Sequence, residues 1–199
     1  MFRLQKEEML LTMSPQERKQ QKLVAIYQAL LQLMSQKPMA DIGITELCQQ
    51  ADVSRTYFYR NYGNFEKIIL MYQEQLMLKY LRRLPLTAKS DMADLMTRYF
   101  EVIKHDADTN RLLIQNGQVM IVFQTFQSVF QILMQHDRIS HPARNTIINE
   151  PYYVEYLSGA VVNVAITWLN KGMIESPQYL GKLIERLSKT QPAMMPTPE

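Results

Sequence analysis

The chain has 199 residues, 47% of them hydrophobic, which is enough for one large or two small domains with a buried core. Its net charge of +3 permits nucleic acid as a partner without requiring it, and its single cysteine excludes an internal disulfide and fits a reducing cytoplasm. No apolar run approaches the roughly 18 residues that span a membrane, and residues 1–13 lack the pattern of a secretory signal.

The first predicted helix begins at Ser14. The run Ser14-Pro15-Gln16-Glu17 combines an N-cap serine, a proline at the first helical position and a glutamate that completes a capping box. Apolar residues at spacings of three and four then form one stripe: Leu23, Ile26, Tyr27, Leu30, Leu33 and Met34. Lys37-Pro38 ends the helix. Arg18, Lys19 and Lys22 lie near its start, where we expect them to be within reach of a nucleic-acid backbone.

Residues 43–62, GITELCQQADVSRTYFYRNY, predict two short helices joined by a tight turn. Ile44, Leu47 and Ala51 recur at helical spacing and give the first helix one inward face. Ser54 follows the turn and is a natural N-cap for the second helix.

The second of these helices has an outer face suited to a partner. Phe58 and Tyr62, four residues apart, are expected to point inward. The remaining side chains project: Arg55, Thr56, Tyr57, Tyr59, Arg60 and Asn61. A helix of about 7 residues is roughly 10 Å long, and the DNA major groove is about 12 Å wide. The pattern therefore predicts a helix-turn-helix whose second helix enters that groove.

The run ITELCQQADVSRTYFYRNYGNFEKII resembles the DNA-binding motif of the TetR family of bacterial transcription regulators. The matching positions are Leu47, Ala51, Val53, Ser54, Phe58, Tyr59, Tyr62 and Glu66. A looser resemblance extends to Ser188. It implies an N-terminal three-helix head, a C-terminal antiparallel helical domain that dimerises and binds a ligand, and a palindromic DNA operator as partner.

Three positions depart from the family pattern. Asp52 stands in the turn where glycine is usual, and it tolerates the left-handed backbone better than most residues do. Gly43 stands where threonine or serine often caps the second helix. Phe65 replaces a common phosphate-binding lysine, for which Lys67 is the expected substitute.

Roles in DNA binding follow from position on the second helix. Arg55 and Thr56, near its N-terminus, are the candidates for base edges, because arginine suits guanine. Tyr57 is expected to touch a thymine methyl group or a sugar. Phosphate contacts, which set register but carry no sequence information, are assigned to Tyr59, Arg60 and Asn61. The full set of DNA-binding candidates adds Thr45, Ser54, Tyr62, Asn64 and Lys67.

The rest of the chain predicts further helices and no convincing strand. These are helix 4 from Asn64 to about Leu84, helix 5 capped by Ser90, a short helix from Asp108 to Gly117, helix 7 over 118–135, helix 8 opened by Pro151 and running to Lys171-Gly172, and helix 9 opened by Ser176-Pro177. Residues 138–149 are predicted to form a polar loop. The fold class is all-α, with a helix-turn-helix DNA-binding domain over 14–62, a helical regulatory and dimerisation domain over 63–190, and a disordered tail over 191–199.

Two further sets of residues are candidates for binding in the helical domain. An effector pocket, implied mostly by the resemblance, is assigned to Met96, Phe100, Met120, Phe123, Phe126, Gln127, Phe130, Tyr156 and Trp168; for any single one of these, ordinary core packing is the simpler interpretation. By the same resemblance, helices 8 and 9 pair with those of a second subunit. The residues assigned to that interface are Leu157, Val161, Val164, Trp168, Leu180, Leu183, Ile184 and Leu187.

Other chemistry is poorly supported. Cys48 fits an inert buried thiol better than a redox sensor. His136 and His141 are five residues apart, which is the wrong spacing for metal ligands on one helical face. His105 and Asp106 are more simply a pair at a helix end. No catalytic constellation, metal site or cofactor is predicted.

The sequence therefore predicts a cytoplasmic, homodimeric transcription regulator, more specifically a repressor, that binds a palindromic operator and responds to a small hydrophobic effector. The alternative is the same DNA-binding head controlled by a protein partner, with no small-molecule pocket.

Overall fold

The computed structural model describes residues 14–81, 90–137, 139, 148 and 150–188. Within these ranges the chain is helical, and one isolated bridge between Ser90 and Ile139 is the only extended pairing. The α-helices are α1 (Pro15–Met34), α2 (Ile44–Gln50), α3 (Arg55–Asn61), α4 (Phe65–Leu81), α5 (Met92–His105), α6 (Ala107–Gln115), α7 (Val119–Gln135), α8 (Tyr153–Asn170) and α9 (Pro177–Ser188). None of these helices combines the length and apolar character that crossing a bilayer requires.

The chain divides into two compact units. The first contains residues 14–73 and Leu112–Ile121, and the second contains Glu74–Arg111 and residues from Val122 onward. The predicted head, 14–62, lies within the first unit, which also takes in the start of α4 and the end of α6. The predicted tail, 191–199, lies outside the described residues.

The core of the first unit is built from the apolar stripe of α1. Leu23, Ile26 and Leu30 are at most 2% exposed, and they share one cluster with buried residues of the other helices in this unit. Those partners include Leu47, Cys48, Phe58, Ile68, Ile69, Leu113 and Ile121. The ring of Tyr27 stacks on that of Tyr72 with centroids 3.8 Å apart. Helix α1 thus holds the helix-turn-helix in place, as its stripe predicts.

The second unit packs α5, α7, α8 and α9 around aromatic side chains. Tyr99 on α5 meets Phe126 on α7 edge to face, with centroids 5.1 Å apart. Phe100, fully buried, meets Trp168 of α8 in the same way at 5.5 Å. The indole Nε1 of Trp168 donates to the Glu175 carbonyl at 3.1 Å, which satisfies its polar group inside the core.

Helices α5 and α9 approach each other unusually closely at Gly181. A Cβ atom placed on this glycine would lie 2.5 Å from the Ala93 carbonyl oxygen and 2.8 Å from the Thr97 nitrogen. Both distances are well inside van der Waals contact, so only glycine permits this approach. The two backbones therefore meet directly, with no side chain between them.

Several local signals are confirmed. Ser14 and Glu17 form the reciprocal capping box, with the Ser14 nitrogen 2.7 Å from Glu17 Oε2. Asn64 Oδ1 accepts from the Lys67 nitrogen at 2.8 Å and so caps α4. Asp52 takes the expected left-handed conformation, with φ of 53°.

Two helix starts differ from prediction. Asp91, not Ser90, is the N-cap of α5, because its carboxylate accepts from the Asp94 nitrogen at 2.7 Å. Helix α8 begins at Tyr153 instead of Pro151, because Tyr152 has a left-handed backbone with φ of 64° that no α-helix can contain. The predicted end of helix 4 near Leu84 and most of the predicted loop 138–149 lie outside the described residues.

Candidate nucleic-acid interface

The outer face of α3 is exposed and its inner face is anchored. Phe58 is fully buried and Tyr62 is 8% exposed, so both point inward as predicted. Arg55, Thr56 and Arg60 are exposed, and Tyr59 is 52% exposed although its ring is large. The helix thus presents two guanidinium groups, a hydroxyl and a phenol to the surroundings.

Local hydrogen bonds fix the orientation of α3. The Ser54 hydroxyl accepts from the Tyr57 nitrogen at 3.1 Å and caps the helix, as its position predicts. At the other end, the half-buried Asn61 side chain donates from its amide to the Tyr57 carbonyl at 2.8 Å. One hydrogen-bond donor of this side chain is therefore already used within the helix. Gly63 follows with φ of 82° and ends the helix.

The aromatic rings of Tyr57 and Tyr62 pack against neighbouring side chains. The Tyr57 ring is half-buried, lies edge to face with Tyr62 at 6.0 Å and carries the Lys22 ammonium 4.3 Å above its centroid. Burial raises the pKa of the Tyr62 hydroxyl, so it stays neutral at ordinary pH. Tyr57 therefore connects α3 to α1 through Lys22. The candidates Thr45, Asn64 and Lys67 are exposed.

A basic cleft lies between the start of α1 and α3. It has a volume of about 290 Å³ and is lined by Pro15, Arg18, Lys19, Lys22, Tyr57 and Asn61. Arg18, Lys19 and Lys22 follow one face of α1 because three and four residues make about one helical turn. The sequence placed these three cations near a nucleic-acid backbone, but only the fold shows that they share a cleft with the α3 side chains.

The single thiol does not belong to this exposed surface. Cys48 is 3% exposed within the core of the first unit. Burial raises the pKa of its thiol, with Arg55 acting in the opposite direction. A protonated, inaccessible thiol fits the structural role predicted for it.

The second unit contains an apolar pocket between α5 and α7. Its described lining is Met77, Leu95, Met96, Arg98, Tyr99, Val102, Phe126, Val129, Phe130 and Leu133. Three of the predicted pocket residues, Met96, Phe126 and Phe130, line it. The accessible space is about 20 Å³, enough for about one water molecule.

The other predicted pocket residues lie elsewhere. Phe100 and Trp168 pack against each other in the core. Gln127 donates to the Ser158 hydroxyl at 2.9 Å, and Phe123 is half-buried. Met120 and Tyr156 are each 65% exposed. Arg98 and Tyr99 also line the pocket, and neither was among the predicted pocket residues.

The predicted dimer residues divide into two groups. Those buried within their own unit, at most 4% exposed, are Leu157, Val161, Trp168, Leu180 and Ile184. Val164 and Leu183 are half-buried, and Leu187 is 54% exposed.

Alternative metal sites receive no support from the described residues, where no group of three or more His, Cys, Asp or Glu side chains is placed to hold a metal ion. His136 is exposed, and His141 lies outside the described residues. His105 Nδ1 lies 3.0 Å from Asp106 Oδ1, which is the helix-end pair expected from their adjacency.

A short helix with an exposed outer face, packed with α1 and α2 in the first unit and followed by a helical second unit, is the arrangement of a helix-turn-helix regulator. The family model described as "Transcriptional regulator C-terminal region" matches residues 90–190, about half of the chain. The chain therefore belongs to the TetR family of transcription regulators.

Solved structures share the fold at low sequence identity. Lin0861 from Listeria innocua superposes with a TM-score of 0.67 at 15% identity, covering 89% of this chain and 94% of its own. The dihydroxyacetone kinase operon activator DhaS gives a TM-score of 0.53 at 13% identity, covering 84% of this chain and 93% of its own. A comparison with curated protein sequences gives no significant match.

Proposed function

We propose that the protein is a cytoplasmic repressor that binds a palindromic operator as a homodimer. The observation that carries this proposal is the exposed face of α3, where Arg55, Thr56 and Arg60 project from a helix whose opposite face is buried. A helix of this length fits the major groove. The basic cleft beside it supplies charge for the adjacent phosphates. The proposal includes no catalytic step.

The dimer face that we propose uses the outward side of α8 and α9. On α8 the exposed residues Tyr156, Ala160, Asn163 and Thr167 recur at helical spacing, with Gly159 beside them. On α9, Tyr179, Leu183 and Leu187 are four residues apart and share one face. The surface is partly apolar, and the small residues Gly159 and Ala160 let two helices approach closely. A two-fold dimer then places two copies of α3 on successive half-sites.

The test is selection of duplexes from a random pool by the full-length protein, followed by affinity measurements on the selected and scrambled sequences. Arg55→Ala is expected to weaken operator binding about 5- to 150-fold, corresponding to about 1–3 kcal/mol for a base contact, and non-specific binding much less. Arg60→Ala is expected to weaken both alike. Equal behaviour of the two variants would remove the division into base and phosphate contacts. If the protein bound no duplex at low salt, the proposal would be overturned.

We further propose that a small molecule bound in the second unit controls operator affinity. The apolar pocket between α5 and α7 supports this, since it is lined by aromatic and methionine side chains. Its accessible space of about 20 Å³ also supports the alternative, in which a protein partner controls the same head. A compound screen that scores release of operator DNA separates the two: release supports an effector, and its absence across diverse compounds favours the protein partner.

A further inference from the structure

The pocket between α5 and α7 is apolar except for two adjacent residues. Met77, Met96, Phe126 and Phe130 belong to its apolar wall, while Arg98 and Tyr99 supply hydrogen-bond donors. No Asp or Glu is among the described residues that line it. Among the described lining residues, the polar side chains are therefore one cation and one neutral phenol, with no anion.

The Tyr99 hydroxyl is a buried donor without an acceptor. The residue is 4% exposed, and among the described residues nothing accepts from its hydroxyl. Its ring is fixed between Phe100 at 5.4 Å and Phe126 at 5.1 Å, so it cannot easily turn towards another partner. A buried hydroxyl without a hydrogen bond is destabilising. A ligand that brings an acceptor to this point removes that cost.

Arg98 adds a positive charge to the same pocket. Its side chain is half-buried and forms no ion pair within the part of the chain that the structure describes. The acidic residues nearest to it along α5, Asp94 and Glu101, are exposed, and Glu101 accepts from Gln178 at 3.3 Å. The described residues thus leave the guanidinium group of this lining residue without a carboxylate partner.

We propose that this pocket binds an apolar carboxylic acid, with the carboxylate accepting from Arg98 and from the Tyr99 hydroxyl. A carboxylate is the simplest head group that satisfies both donors at once, and the apolar body is matched by the surrounding wall. Burial raises the pKa of Tyr99, so its hydroxyl keeps the proton that it donates. The inference rests on the proposed function because it names the chemical class of the effector.

The ligand must open the pocket to enter, because the accessible space of about 20 Å³ admits about one water molecule. Met77 and Met96 are the side chains best suited to move, since methionine is unbranched and changes conformation easily. Binding therefore changes the packing of α5 against α7.

The experiment is isothermal titration calorimetry of the full-length protein at pH 7 with three ligands of equal chain length: octanoate, octanol and octylammonium. Octanoate is expected to bind at least about tenfold more tightly than octylammonium. Arg98→Gln should weaken octanoate binding about tenfold and leave octanol within about twofold, because only the acid uses the charge. Tyr99→Phe should weaken both about three- to tenfold. Arg98→Lys should restore part of the lost affinity.

Lys104→Gln is the matched control, because Lys104 is exposed on the same helix and its substitution changes net charge equally. It should leave all three affinities unchanged. If Tyr99→Phe does not fold, the ligand ranking and the Arg98 variants carry the test. The inference is overturned if octanoate does not bind, if it binds no better than octylammonium, or if Arg98→Gln leaves its affinity unchanged.

Operator binding measured on the same samples separates this inference from the proposed function. Octanoate bound with the expected ranking, but without effect on operator affinity, supports the ligand class and refutes the effector role. Operator release by a compound of another class, together with no octanoate binding, supports the effector role and refutes the ligand class.

Discussion

The basic cleft between α1 and α3 leads to a quantitative prediction about the salt dependence of DNA binding. Lys19 is exposed at this cleft, together with Arg18 and Lys22. Lys22 lies over the Tyr57 ring, so its removal would also disturb α3. Lys19→Gln is therefore the cleaner perturbation, because it removes one charge and keeps a polar side chain of similar length.

The magnitude follows from counterion release. Each phosphate neutralised by a protein cation contributes about 0.9 to the slope of log affinity against log salt. The proposed homodimer carries two copies of the cleft, so Lys19→Gln should make the slope shallower by about 1.8. Between 50 and 200 mM salt, the wild-type protein should then lose about 12-fold more affinity than the variant.

The assay is a fluorescence anisotropy titration of a labelled duplex at four or more salt concentrations. The change in slope should be the same for operator and scrambled DNA, since a phosphate contact carries no sequence information. Lys104→Gln removes the same charge from α5 and should leave the slope unchanged. An unchanged slope for Lys19→Gln, or an equal change for the control, would refute the assignment of the cleft to DNA backbone.

Four further predictions concern packing, capping, the thiol and the dimer. Gly181→Ala should destabilise the fold in urea denaturation by about 1 kcal/mol, because an overpacking cost of about 1–3 kcal/mol exceeds a helix-propensity gain of about 1 kcal/mol. Gly159→Ala should not destabilise the isolated protomer, because the added Cβ would meet nothing within 4 Å beyond the adjoining backbone of its own helix. Ser54→Ala should cost about 1 kcal/mol by loss of the N-cap, measured in the same way. Cys48 should react with a thiol reagent only under unfolding conditions, because burial raises its pKa; rapid reaction in the native protein would contradict this. Tyr156→Asp should weaken the dimer about tenfold or more in sedimentation equilibrium, and an unchanged dimer would show that α8 associates through another face.

The features that sequence predicted correctly depend on short stretches of chain. The capping box at Ser14, the cap at Ser54 and the left-handed turn at Asp52 each involve residues no more than three apart, so their geometry is nearly independent of the rest of the fold. The inward direction of Phe58 and Tyr62 follows from helical spacing alone. These signals were sufficient to predict the helix-turn-helix and the outer face of α3.

The helical unit was less predictable because an apolar stripe does not reveal what it packs against. Leu157, Val161 and Trp168 form such a stripe on α8, and the structure buries them within their own protomer. A stripe facing a second subunit would have the same spacing. The pocket presents the same difficulty, since the missing partner of the Tyr99 hydroxyl depends on residues far apart in the chain. Tertiary packing, and not local pattern, decides these positions.

The close contact of α5 and α9 gives the pocket a direct route to the proposed dimer face. Met96 and Arg98 line the pocket, and Thr97 between them meets the backbone of Gly181. Because no side chain separates the two helices there, a displacement of α5 on ligand entry must move α9 or open a gap in a closely packed interior. Helix α9 carries Leu183 and Leu187 on the proposed dimer face, so the displacement changes the surface offered to the second subunit. The proposed ligand would control operator binding through this route only if it bound one arrangement of the proposed dimer better than the other.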